Sequence, residues 1–222
     1  MITTFNIKKL SQVFVIIVLG SSLLGCATHG QVNIPVLKAV ENESFAGKTF
    51  STEVYYSQPQ PGVFSDGETL PLKPIEEAEM SVGASRVLSR FQELFQRQLP
   101  AEASIGKKDN SDFIYTIELT AKDKKGPVFA DYDILASTGK SLLTLGLGSS
   151  EYTIIADFDI LYRLEDKNGK VIYEKDYTIH DEVDHERGKL EGFDIGNDLA
   201  AQLLEKHVVI SMNDYFKRLS NM

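Results

Sequence analysis

The side chains best suited to binding a metal or moving a proton are concentrated in one run, His180-Asp181-Glu182-Val183-Asp184-His185-Glu186, with two imidazoles and four carboxylates. These are the ligand types of zinc and other divalent ions. Their spacing argues against such a site. The histidines stand five apart rather than four, so a helix would not align them as in a His-Glu-x-x-His site, and the central glycine of a calcium loop is missing. A solvated acidic loop following a strand accounts for the same residues, and no metal is expected. Nucleophilic chemistry fares no better, because the serines lie outside any Gly-x-Ser-x-Gly elbow. Ser137 has Lys140 three residues on, without the Lys-Thr-Gly and Ser-Asp-Asn companions of a Ser-x-x-Lys enzyme. Gly139-Lys140-Ser141 matches the end of a phosphate-binding loop, but Ile134 stands where its first glycine belongs. No catalytic residue and no cofactor is expected, and the chain reads as a non-enzyme.

One reactive side chain remains, the single cysteine, Cys26. A thiol is the side chain most easily turned into a nucleophile, and this one closes a segment built for export. Lys8 and Lys9 keep the amino terminus on the cytoplasmic side. The apolar run over residues 13–24 that follows suits an export channel and is shorter than the roughly 18 residues of a spanning helix. Leu23-Leu24-Gly25-Cys26-Ala27 then resembles the lipobox of bacterial lipoproteins, with a large aliphatic residue three before the cysteine and a small one directly before it. The resemblance implies cleavage between Gly25 and Cys26, a diacylglyceryl thioether on Cys26, and a further acyl chain, such as palmitate, on its new amino group. At roughly 0.8 kcal/mol per buried methylene, two chains already hold a protein stably on a bilayer. The alternative is that Cys26 is a small apolar residue ending an ordinary signal peptide or a membrane helix. Against it, a lone thiol in an oxidising compartment is a liability that lipidation removes. Ala27 rather than Asp follows the cysteine, and by the same resemblance this implies the outer membrane.

Composition bounds the rest. A chain of 222 residues with 42% hydrophobic content can bury one ordinary core, and no stretch after residue 26 reads as a membrane span. The formal charge is −9, and removing Lys8 and Lys9 with the leader makes the remainder two charges more negative. That balance opposes binding to a phosphate backbone and to anionic headgroups, so nucleic acid is not an expected partner.

The elements follow from periodicity. Residues 26–47 form the lipidated terminus and a polar tether, leaving residues 48–222 as a single domain. Residues 48–57 alternate as a strand, and residues 58–74 hold too many prolines and glycines for a regular element. After Pro74 the spacing of Met80, Ala84, Val87, Phe91 and Leu94 predicts one amphipathic helix ending before Pro100. Residues 112–122 alternate as a strand, as do residues 152–164. Asp166-Lys167-Asn168-Gly169 then predicts a hairpin whose return strand carries Val171, Tyr173, Tyr177 and Ile179. Residues 193–219 form a long amphipathic helix through Leu199, Leu203, Val208, Met212 and Tyr215. The expected fold is α+β, a mainly antiparallel sheet with two amphipathic helices packed on one face.

The least ordinary segment is residues 134–148, where Leu142, Leu143, Leu145 and Leu147 sit among glycines with Lys140 the one charge. It reads either as a hydrophobic loop that docks on a partner or a lipid surface, or as a piece of core folded under the sheet edge. In layout the chain is similar to the small periplasmic lipoproteins of Gram-negative bacteria, among them transporter auxiliary subunits and accessory factors of envelope machines. That likeness implies a non-catalytic binding or assembly module on the outer membrane, facing the periplasm, with another envelope protein as partner. A carrier of lipid or another hydrophobic ligand is the alternative.

Overall fold

The computed structural model describes residues 29–39, 43–62, 67–132, 151–186, 191–192 and 194–221. Its strands are β1 (Thr49–Ser57), β2 (Lys73–Pro74), β3 (Ser104–Ile105), β4 (Phe113–Ala121), β5 (Val128–Tyr132), β6 (Glu151–Asp166) and β7 (Val171–Glu186). Its helices are α1 (Val82–Leu88), α2 (Phe91–Gln96) and α3 (Ile195–Leu219). The class is α+β, with one mixed and mostly antiparallel seven-stranded sheet.

The sheet is organised around β6. Its sixteen residues pair antiparallel with β4 over one half and with β5 over the other, while β7 runs antiparallel along its other side. Beyond β4 lies β1, parallel to it, and β1 in turn carries the short strands β2 and β3 on its far side. A parallel pair needs a crossover, and α1 and α2 occupy the chain between β1 and β4.

Alternation along the strands decides which face is covered. Tyr152, Ile154, Ala156, Phe158, Ile160, Tyr162 and Leu164 of β6 are buried, as are Tyr115, Ile117, Leu119 and Ala121 of β4. Successive side chains point to opposite faces, so these residues form a single apolar face. Rings fill the space above it. Phe95 of α2 stacks on Tyr115 at 4.4 Å between centroids, and Tyr215 and Phe216 of α3 lie 5.6 and 5.5 Å from the same ring. Each such ring, fully buried, contributes about 1.5–3 kcal/mol by leaving water. The opposite face carries ion pairs, with Arg163 between Glu118 and Glu174 and Lys122 beside Asp157 and Asp159.

Three expectations are corrected. The helix predicted from residue 75 begins only at Val82, because Pro74 is held in β2 opposite Tyr55 and Ser81 takes the N-cap, its hydroxyl accepting from the Ala84 amide at 3.3 Å. It is also interrupted at Ser89-Arg90, where the Arg90 amide bonds to the Val87 carbonyl three residues back. The apolar stripe nevertheless continues through the break, since Ala84, Val87, Phe91 and Leu94 are all buried. Second, the stretch 58–74 is not wholly irregular, for Lys73–Pro74 pairs with β1. Third, the return strand of the hairpin runs on through the acidic run to Glu186. The turn between β6 and β7 is closed by Asp166, whose carboxylate accepts from the Asn168 and Lys170 amides at 2.8 and 3.0 Å. Gly169 takes the left-handed conformation there, with φ of 77°.

Candidate functional site

Strand geometry divides the run 180–186 between two faces. From Tyr173 to His185 the odd-numbered residues of β7 point toward α3 and the even-numbered ones toward the open face, as the alternation of burial shows. His180 is accordingly 65% exposed and His185 only 3%. The two imidazoles cannot share an ion, since strand pleating sends them to opposite sides of the sheet. Among the described residues there is no group of three or more His, Cys, Asp or Glu able to hold a metal.

What the inward residues do is hold other elements. The Asp181 carboxylate accepts hydrogen bonds from Lys206 Nζ and His207 Nε2, each at 2.8 Å, fixing the middle of α3 to β7. Partial burial alone would raise the Asp181 carboxyl, but the bonds from Lys206 and His207 outweigh it and hold it below the usual carboxylate range. An Asp–His pair of this kind orients an imidazole in nucleophilic enzymes. Here Ser211, one turn further along α3, donates to the His207 carbonyl at 2.7 Å and lies 2.8 Å from the Tyr162 hydroxyl. The pair therefore joins helix to sheet.

Two residues on from Val183, His185 makes the second attachment. The Gly30 amide donates to its Nδ1 at 3.1 Å, and its Nε2 lies 2.9 Å from Glu191 Oε2. Because Nδ1 accepts, the neutral ring carries its proton on Nε2 and donates it to that carboxylate. The His185 ring packs against Tyr152 at 5.1 Å and against the edge of His29 at 5.9 Å. Residue 30 approaches the strand so closely that a Cβ there would stand 3.0 Å from the Asp184 carbonyl oxygen and 3.0 Å from Val183 Cγ1.

From this point residues 31–39 continue along the domain. Val32 and Leu37 pack on the core. Asn213 of α3 donates to the Val36 carbonyl and accepts from the Lys38 amide, both at 3.1 Å. The same Asn213 accepts from Gln98 Nε2 at 2.7 Å, joining the segment after α2 to the amino-terminal segment. Polar composition marks residues 26–47 as the lipidated terminus and a tether, yet residues 29–39 of it lie along the domain. Their isolated apolar residues, Val32 and Leu37, were the available signal that this stretch has a surface to lie on.

Gly25, Cys26, Ser137, Lys140, Leu142, Leu143, Leu145 and Leu147 lie outside the described residues. The flanks of the leucine-rich segment are described, however. Tyr132 of β5 is in register with Tyr152 of β6, which is in register with His185. Tyr132 and Glu151, the described residues on either side of residues 133–150, therefore both lie at the end of the sheet where Gly30 is held.

Among the described residues, two of the surface grooves flank α3 and β1. One, of about 620 Å³, lies between the amino-terminal segment and α3 and is lined by Val36, Lys38, Ile210, Asn213 and Phe216. The other, of about 400 Å³, lies beside β1 and β2 and is lined by Tyr56, Gln58, Leu70, Lys73 and Glu77.

No family model and no curated protein matches the chain. Solved structures similar to it include a Helicobacter pylori homolog of a neuraminyllactose-binding hemagglutinin, at 11% identity and a TM-score of 0.36 over 87% of this chain and 100% of that one. A Xanthomonas campestris protein of family DUF330 is similar at 10% identity and a TM-score of 0.35, over 86% of this chain and 96% of that one. A minor lipoprotein from Acinetobacter baumannii is similar at 9% identity and a TM-score of 0.33, over 80% and 93%. Scores of this size carry no argument about what the chain does.

Proposed function

We propose that the protein is a lipid-anchored, non-catalytic binding or assembly module of the bacterial envelope, held by Cys26 on the periplasmic side of the outer membrane and presenting its surfaces to another envelope protein. The anchor rests on the lipobox-like Leu23-Leu24-Gly25-Cys26-Ala27. The choice of a binding module over a carrier rests on one observation. The interior between sheet and helices is occupied by the protein's own rings, with Phe91, Phe95, Tyr115, Tyr162, Tyr215 and Phe216 all buried. A carrier needs an apolar chamber of roughly 300–1,000 Å³ that buries most of its ligand, and the two grooves described above are open at the surface. On this reading the leucines 142, 143, 145 and 147 serve contact with a partner or with lipid.

The test is a Cys26→Ala substitution in the full chain, expressed in a Gram-negative host. Palmitate incorporation and membrane attachment are expected to be lost together, leaving an uncleaved or mislocalised precursor. Normal cleavage and membrane attachment of that variant would overturn the anchor. Near-stoichiometric lipid found by mass spectrometry in the purified chain beginning after Cys26 would replace the binding module with the carrier.

A further inference from the structure

With Cys26 as the membrane attachment point, as proposed above, the course of residues 29–39 limits how the domain can sit on the bilayer. A free tether over residues 26–47 would be a coil with a root-mean-square span of about 25 Å, and the domain could turn in any direction above the bilayer. The chain instead meets the domain at once. Gly30 is bonded to His185, His29 lies against the His185 ring and 3.6 Å from Glu191, and Val36 and Lys38 are held by Asn213. Gly30 is only four positions beyond Cys26, and four extended steps of the chain span at most about 14 Å.

We infer that the domain stands on the bilayer by one end. The end of the sheet formed by Tyr132, Tyr152 and His185 faces the lipid headgroups, and the β6–β7 turn is the pole furthest from the membrane. At about 3.3 Å per residue the sixteen residues of β7 are about 50 Å long. The Asp166–Gly169 turn is therefore held some 50 Å beyond the His185 end. The two attachments act at different points along the segment. His185 fixes where the chain enters, and Asn213 fixes the direction in which it continues, along α3 and away from the membrane. The open sheet face with its ion pairs is then turned sideways, toward the periplasmic space.

The chain has no tryptophan, so one introduced residue reports position without interference. Glu182→Trp lies on the exposed face three residues from His185, and Val171→Trp, at a position 45% exposed, lies at the far end of the same strand. The chain beginning at Cys26 is coupled through its thiol to maleimide-headgroup lipid in phosphatidylcholine vesicles carrying dansyl-labelled headgroups. Energy transfer from each tryptophan to dansyl is then measured. Transfer from residue 182 is expected to exceed that from residue 171 by several-fold. Both His185→Ala and Gly30→Val, which breaks the close approach without touching a strand, are expected to bring the two values together. Equal transfer from both positions in the otherwise native chain would overturn the inference, as would a difference that survives both clasp variants. Chemical coupling makes the result independent of whether cells acylate Cys26, so it fails separately from the anchor itself.

Discussion

Tyr115 offers the sharpest test of the packing. Its ring lies fully buried, stacked on Phe95 and nearly parallel to Tyr162 at 5.9 Å, yet its hydroxyl has no hydrogen-bond partner among the described residues. Burial, with smaller contributions from Tyr162, Tyr215 and Tyr177, pushes its ionisation well above the ordinary tyrosine range. A buried hydroxyl without a partner costs about 1–3 kcal/mol relative to its solvated state. Tyr115→Phe removes that cost and keeps the ring contacts, so the substitution is expected to stabilise the domain by about 1 kcal/mol or more. Tyr162 is the internal control. It belongs to the same buried face, but its hydroxyl is 2.8 Å from Ser211 Oγ. Tyr162→Phe is therefore expected to destabilise by about 0.5–1.5 kcal/mol, toward the lower figure because Ser211 retains the His207 carbonyl. Urea unfolding of the chain beginning after Cys26, followed by far-ultraviolet circular dichroism, reads both differences. In thermal melts each kcal/mol corresponds to a shift of about 2–4 °C for a domain of this size. A loss of 1 kcal/mol or more in Tyr115→Phe refutes the reasoning, for it means that this hydroxyl is bonded in solution.

Two further outcomes follow from the site and the hairpin. The Asp181 carboxyl is held below its unfolded value, so its contribution to stability is present above the unfolded pKa of about 3.9 and is lost as pH falls through the folded value. The stability gap between the native chain and Asp181→Asn, measured by urea midpoints from pH 5 to pH 2.5, is expected to close toward the acid end; a constant gap contradicts the assignment. Gly169→Ala forces a Cβ into the left-handed conformation and is expected to cost about 1–2 kcal/mol, whereas an unchanged midpoint shows that the turn relaxes freely.

The hairpin was legible in the sequence because its signals are local: alternation along residues 152–164 and an Asp-x-Asn-Gly turn between two apolar runs. The same locality explains what was missed. The inward positions of β7 include Lys175, Asp181 and His185, so the hydropathy alternation that marks β6 fades along its partner, and the strand reads as an acidic loop. Asp181 meets Lys206 and His207, and His185 meets Gly30 and Glu191; of these only Glu191 is close in sequence. The helix start was placed directly after Pro74, because the pairing of Pro74 with Tyr55 depends on a strand nineteen residues earlier. The five residues of β5 are too few to carry a periodic signal, and their place is set by the unused half of β6. For the candidate site, the sequence supplied the reactive side chains but not the face each one takes. That face depends on register.

The attachment of the amino-terminal segment also orders events in time. The bonds from Gly30 to His185, Lys38 to Asn213 and Asn213 to Val36 join residues separated by 155, 175 and 177 positions. A chain emerging from its amino terminus presents residue 30 first, but neither bond to Asn213 can exist until almost the whole polypeptide has followed. The β6–β7 hairpin, with its ends meeting across four residues, is free to close long before. The segment nearest Cys26 is thus the earliest to be made and among the last to be seated.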